Sequence, residues 1–289
     1  MSEYVIFTDS TSDLPVDLVK NLGVDVVSLK YEINGEVYDD CFGENREKLL
    51  EDFYIRIKNG ERAKTSQINP AEFVDSFSRF LDNGKDILYI SFTSGLSATF
   101  NSAKIAANEL YEKYPDRKIK IIDSLCASMG EGLLVYEAVM QKRSGKNLED
   151  LTDWIEKNKL NICHWVVVDD LNHLKAGGRV SPTAAFFGSI LNVKPLIHVD
   201  NEGHLVITGK HRGKRKSLDF FIEKMKKNIT STERVFISHS RSFEDAQWFG
   251  DRIKAECGIK EVIISEIGCV IGAHTGVGVV AVFFWGSQR

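Results

Sequence analysis

Five short stretches of this chain hold the residue types that could do chemistry. Lys64-Thr-Ser-Gln67 runs through Ile-Asn-Pro toward a helix expected near Ala71, which leaves its hydroxyls in a loop. Thr93-Ser-Gly-Leu-Ser97 is a serine and glycine turn ahead of a helix. Such a turn offers free backbone amides and two hydroxyls, Ser94 and Ser97, to a carboxylate or phosphate. Plain capping of the helix accounts for the same residues on local grounds. Leu174-Lys-Ala-Gly-Gly-Arg179 is a turn carrying one guanidinium, suited to a bidentate anion contact or to an ordinary salt bridge. Gly209-Lys-His-Arg-Gly-Lys-Arg-Lys216 is the densest basic run; it reads as a solvated loop and helix start, or as a place for phosphate or an acidic partner. Ile271-Gly-Ala-His-Thr-Gly-Val-Gly278 sets His274 in a glycine-rich turn between strands, where another group can approach closely.

Several chemistries are disfavoured by what these stretches lack. The GxSxG nucleophile elbow is absent around Ser94 and Ser97. A stand-alone enzyme using either serine with His274 on a small carboxylated or phosphorylated substrate is the alternative reading. Gly276-Val-Gly-Val-Val-Ala281 fits a loose dinucleotide pattern, but Val279 to Trp285 reads as a strand where that pattern requires a helix. The chain has no GxxxxGK[ST] loop, no HExxH helix and no protein-kinase motif set. No cofactor and no metal site are expected, and the adjacent Asp169 and Asp170 read as solvated carboxylates. The cysteines at 41, 126, 163, 257 and 269 form an odd, scattered set without CxxC, read as buried free thiols.

The elements that must position these residues follow a repeated order. Tyr4 to Thr8 reads as a buried strand, Asp9 to Asp13 as a polar turn, and Pro15 to Leu22 as a helix. The order recurs at Ile87 to Ser91 with a helix through Tyr111, and at Lys120 to Asp123 with a helix through Arg143. Three such units predict a parallel sheet with helices on both faces, and ligands then lie beyond the carboxyl ends of its strands. The turns at Asp9, Ser94 and Asp123 should share that edge. An insertion at about 31–58 reads as a hairpin plus helix. A boundary near Glu156 to Asn161 separates residues 1–158 from a C-terminal domain, 159–289, of mixed α/β type. The expected fold class is therefore α/β in two domains, with a ligand between them.

Composition limits the partners. With 289 residues, 43% apolar content and a net charge of −4, the chain can bury a sizeable core and has no global attraction for nucleic acid. The basic run has no interleaved aromatic residues, which further disfavours nucleic acid. Ile263 to Trp285 is apolar but is interrupted by Glu266, His274, Thr275 and glycines, so no integral membrane segment is expected. No signal peptide is read at the N-terminus, and a cytoplasmic location is expected.

Taken together, Phe7-Thr-Asp-Ser-Thr-Ser-Asp-Leu14, Lys64 to Gln67, Thr93 to Ser97, Ile122-Asp-Ser124, Gly177-Gly-Arg179, Lys194-Pro195, Gly209 to Lys216 and Gly272-Ala-His-Thr-Gly276 resemble the DegV family in order and spacing. The resemblance spans nearly the whole chain. It implies a two-domain fold that holds a long-chain fatty acid between the domains and presents it to a separate ATP-binding subunit of a fatty acid kinase, which makes the acyl phosphate. Such a chain is a lipid-binding subunit with no nucleotide site of its own, and transient contact with a membrane is compatible with the role. Carried over, Thr65, Ser94, Ser97 and His274 would meet the carboxylate, while Arg179 and Arg212, with His274, would support phosphoryl transfer or engage the kinase. Ala98 stands where the family usually has glycine, and Cys269 where proline is common.

Overall fold

The computed structural model describes residues 3–40, 42–43, 45–169, 171–180 and 192–289, so Cys41 and Asp170 lie outside the described residues. The first half runs β1 (Tyr4–Asp9), α1 (Val16–Leu22), β2 (Asp25–Val27), β3 (Lys30–Ile33), β4 (Glu36–Asp39), α2 (Arg46–Lys58), β5 (Ala63–Ser66) and α3 (Pro70–Leu81). It continues with β6 (Asp86–Ser91), α4 (Thr99–Lys113), β7 (Ile119–Asp123), α5 (Met129–Arg143) and α6 (Leu148–Asn158). The second half holds β8 (Ile162–Val167), α7 (Asn172–Ala176), β9 (Val193–Val199), β10 (Leu205–Arg212), α8 (Lys214–Asn228) and β11 (Arg234–His239). It ends with α9 (Phe243–Cys257), β12 (Glu261–Glu266), α10 (Cys269–Thr275) and β13 (Val280–Trp285).

The first sheet has the order β2-β1-β6-β7, and every pairing in it is parallel. Parallel neighbours cannot be joined by a tight hairpin, so the chain returns through helices that cover both faces. Alternation along the strands divides the core accordingly. Phe7, Ile87 and Tyr89 face Phe73 and Phe77 of α3 and Ala103 and Ala106 of α4. Ile6, Leu88 and Ile90 face Leu22 of α1, Leu133 and Leu134 of α5, and Leu151 of α6. Helix α3 opens on a capping box in which Asn69 and Glu72 each accept the other's backbone N–H, with Pro70 in the first turn. Residues 30–39 and 63–66 make a separate antiparallel sheet, β4-β3-β5, in which Thr65 pairs with Tyr31.

The third sheet, β10-β9-β8-β13-β11-β12, is mixed: only β11 and β12 are parallel. One face, with Cys163, Val167, Val280, Val282 and Phe284, packs on Phe221 and Ile222 of α8 and on Phe249 and Ile253 of α9. The alternate residues, among them His164, Val166, Ala281 and Phe283, point toward the first sheet's side of the molecule.

Residues 269–275, read from the sequence as part of a glycine-rich turn, form a helix instead. The reason is burial: Cys269, Val270 and Ala273 join the cluster that contains Phe53, Tyr54 and Phe73. Partners from the N-terminal half fasten its approach. Gly268 N–H donates to Asp13 Oδ1 (2.7 Å), Val270 N–H to Asp40 Oδ1 (3.1 Å), and Tyr54 O–H to Ile267 O (2.9 Å). Cys269 is disulfide-bonded, so the expectation of free thiols holds for Cys126, Cys163 and Cys257 and fails for Cys269. Among the described residues no helix is long and apolar enough to cross a membrane.

Candidate ligand-binding site

A cavity of about 400 Å³ lies between the inward face of the mixed sheet and the loops of the N-terminal half. Its floor follows the two-residue period of the strands: His164, Val166 and Val168 along β8 and its end, Val279, Ala281 and Phe283 along β13, Ile197 and Val199 on β9. Leu29, Phe92, Leu96, Val270 and Ile271 close the other side. The lining is largely apolar, with polar groups gathered at its two ends.

One end is a mouth formed by Thr65, Ser97, Arg179 and His274. Thr65 Oγ1 lies 2.7 Å from His274 Nε2. His274 Nδ1 is buried and has no hydrogen-bond partner among the described residues. It faces Gly177 so closely that a Cβ there would collide with it. Burial, together with the positive Arg179, pulls the His274 pKa down to about 4, so the imidazole is neutral near pH 7. Arg179 Nε donates to Leu96 O (3.2 Å) and Nη1 to Gly177 O, which holds the guanidinium at the opening. Thr65, Arg179 and His274 also border a second cavity of about 610 Å³, lined further by Arg62, Lys64 and His173. The mouth thus opens into a basic vestibule.

The serine turn presents a hydroxyl rather than a nest of amides. Buried Asp9 accepts from Phe92 N–H (3.0 Å) and Tyr89 O–H (2.7 Å), and Asp123 accepts from Ser94 N–H (3.0 Å). Gly95 N–H donates to Thr93 Oγ1 (3.1 Å), while the amides of Leu96 and Ser97 donate to Thr93 O. The amides that the sequence suggested for an anion are therefore already bonded. Ser97 faces the cavity, with its Oγ 2.9 Å from Thr99 Oγ1. Ser94 is exposed, its amide bonded to Asp123, and it lies outside the cavity lining. Arg212 is likewise exposed, on β10, and borders neither cavity.

Two other members of the basic run are held in ion pairs. Lys214 pairs with Asp169 (3.3 Å) and Asp245 (3.6 Å), and Arg215 pairs with Asp245 (3.0 Å) while stacking over Trp248. Asp169, read as solvated, also binds Lys194 at 2.8 Å. Asp200, Glu202 and His204 converge on an exposed hairpin turn, where Asp200 Oδ1 already accepts two backbone amides.

The other end of the cavity holds groups that the sequence reading passed over. His164 was visible only as one residue of a strand, and Asp9 only as a cap. His164 is fully buried, its Nδ1 lies 3.0 Å from Ile162 O, and its Nε2 accepts from Ala127 N–H (3.3 Å). Ser128 Oγ lies 3.0 Å from Ser238 Oγ and is bonded to Asp13. Desolvation raises the pKa of Asp13 to about 7 and that of Glu131 well above the usual carboxylate range.

The sequence profile of the DegV family, described as uncharacterised protein, matches residues 3–286. A DegV domain-containing protein of Clostridium perfringens is 42% identical over 291 residues, covering 100% of this chain and 99% of the relative. The chain belongs to the DegV family. Its fold is similar to that of DegV, a fatty acid binding protein from Bacillus subtilis, at 26% identity and TM-score 0.85 over 99% of this chain and 100% of that one. It is also similar to a DegV family protein from Thermus thermophilus described by its fatty acid binding, at 28% identity and TM-score 0.87 over 98% and 99% of the two chains. The parallel sheet and the mixed sheet of this DegV chain are those of the family's α/β fold.

Proposed function

We propose that this DegV chain binds one long-chain fatty acid in the cavity, with its carboxylate at Thr65, Ser97, His274 and Arg179, and presents it to a separate ATP-dependent kinase subunit for acyl phosphate formation. The observation that carries the reading is the character of the cavity: a largely apolar chamber with a threonine, a serine, a histidine and a guanidinium together at one end. An acyl chain of about fourteen methylenes contributes roughly 11 kcal/mol on burial before ordering costs, enough for tight binding. The carboxylate cannot follow it out of water unpaired without a penalty of several kcal/mol. Thr65, Ser97 and His274, whose Nδ1 has no partner among the described residues, supply what it needs. The solved relatives from Bacillus subtilis and Thermus thermophilus, described as fatty acid binding, support the same ligand class.

The kinase role is supported by the vestibule. Arg62, Lys64, His173 and Arg179 surround the space just outside the carboxylate, where negative charge accumulates as an acyl phosphate forms. A stand-alone serine enzyme finds less support, because Ser97 is engaged with Thr99 and His274 with Thr65, so no serine–imidazole pair is in place. Solvent extraction of freshly purified protein followed by mass spectrometry tests the ligand. A lipid-free protein that also takes up no added fatty acid would sink the proposal. With a cognate kinase subunit, Arg179→Ala is expected to lower acyl phosphate formation more than it lowers fatty acid affinity; unchanged turnover would remove the assigned role.

A further inference from the structure

The far end of the cavity differs from the mouth in that its polar atoms are already used. His164 Nδ1 meets Ile162 O, and Nε2 meets the Ala127 amide, which fixes one neutral tautomer and one ring orientation. The ring is also wedged sterically. Phe283 stands edge-on with ring centroids 5.3 Å apart, and a Cβ at Gly130 would collide with the imidazole. Ser238, Ser128 and Asp13 form a hydrogen-bonded chain beside it. Strand register places this wall opposite the mouth. Val167 pairs with Val280 at one end of the β8–β13 ladder, close to the α10 end that carries His274, and His164 pairs with Phe283 in the other half, two pairs short of the Ile162–Trp285 end. From His164 to Val168 the floor runs about 13 Å at the usual strand rise.

We infer, resting on the fatty acid reading above, that His164 is a rigid stop that sets the length of acyl chain this protein accepts, and that the accepted chain ends in a methyl group. A packed wall that cannot relax penalises each added carbon. A terminal hydroxyl or second carboxylate would arrive where His164 and the Ser128 hydroxyl are already engaged with described partners. Ala281 lies midway along the floor, so enlarging it shortens the chamber.

The test equilibrates delipidated protein with an equimolar ladder of saturated acids from about twelve to about twenty-two carbons and reads the bound distribution by mass spectrometry. His164→Ala is expected to move the preferred length up by about two to four carbons, enriching the longer acids roughly ten-fold over the parent. Ala281→Leu is expected to move it down. Identical distributions in all three proteins overturn the stop, whereas a parent that loads no acid at all overturns the fatty acid reading instead. Removing His164 strips the Ala127 amide of its acceptor; if that variant fails to fold, Ala281→Leu decides alone, and an unshifted distribution there counts against the stop. The ω-hydroxy acid of the preferred length is expected to compete about ten-fold or more weakly than its methyl-ended counterpart, and equal competition overturns the methyl requirement.

Discussion

The two ends of the cavity use the same residue types, histidine and hydroxyls, in opposite states. At the mouth, His274 Nδ1 is buried without a partner among the described residues, and the groups around it open onto a basic vestibule. At the closed end, both nitrogens of His164 are bonded, and Ser128 and Ser238 are tied to Asp13. Both imidazoles are held neutral, chiefly by desolvation, with Arg179 acting on one and Arg289 on the other. The difference teaches that burial alone does not mark a binding group. What distinguishes the mouth is a buried nitrogen that no described residue bonds.

Four measurements bear on the contrast between the two ends. The largest concerns the mouth: His274→Ala and Thr65→Ala should each weaken fatty acid binding by about 5- to 100-fold, since each removes a partner from a buried carboxylate. Fluorescence displacement measures this, and an unchanged Kd would contradict the placement of the head group. Next come the two glycines against the two imidazoles. Gly130→Ala should lower the urea midpoint, with a cost of about 1–3 kcal/mol from overpacking a filled site. Gly177→Ala, beside the unpartnered nitrogen, should cost affinity more than stability, and equal stability losses would erase the distinction between the ends.

Protonation gives the third. The ligand-free His274 has a depressed pKa, near 4. A bound carboxylate favours its charged form, so binding should take up a proton and tighten as pH falls from 8 toward 6. Calorimetry in two buffers of different ionisation enthalpy reads this, and His274→Gln should abolish it. At the closed end the sign concerns stability. The Asp13 pKa is raised to about 7, so the folded state keeps a proton that the unfolded chain releases near pH 4. Its contribution is full below that point and is lost as pH rises to 7. Asp13→Asn should flatten that segment of the stability curve. The smallest effects are expected outside the cavity, where Ser94→Ala and Arg212→Ala should leave fatty acid affinity within about two-fold of the parent, the usual range for exposed sites. A large loss in either would move the head-group site outward.

Much of the fold was legible because it follows from local chemistry. The three strand, turn and helix units, and the parallel sheet they require, were readable from apolar runs and capping residues. The apolar character of β13 was plain, and the mismatch between its strand reading and a dinucleotide motif was sound. The ordered motifs identified the family and brought Thr65, Ser97, Arg179 and His274 into view. Their arrangement was another matter. Ser94 and Ser97 sit three residues apart in one turn, and which one faces inward depends on Asp9 and Asp123, held by strands distant in sequence.

By itself, then, the sequence determined the periodicities, the helix and strand order, and the chemical inventory of the mouth, because these depend on neighbours within a few residues. Only the tertiary structure decided that Cys269 to Thr275 is a helix, that the amides of the serine turn are bonded within the turn and to Asp123, and that His164 lines the cavity. Each of those outcomes rests on which groups lose water and which partners reach them. Those partners come from the opposite half of the chain or from turns whose geometry the packing sets. Alternation told which residues of β8 and β13 share a face; burial against the N-terminal half made that face the wall of a cavity.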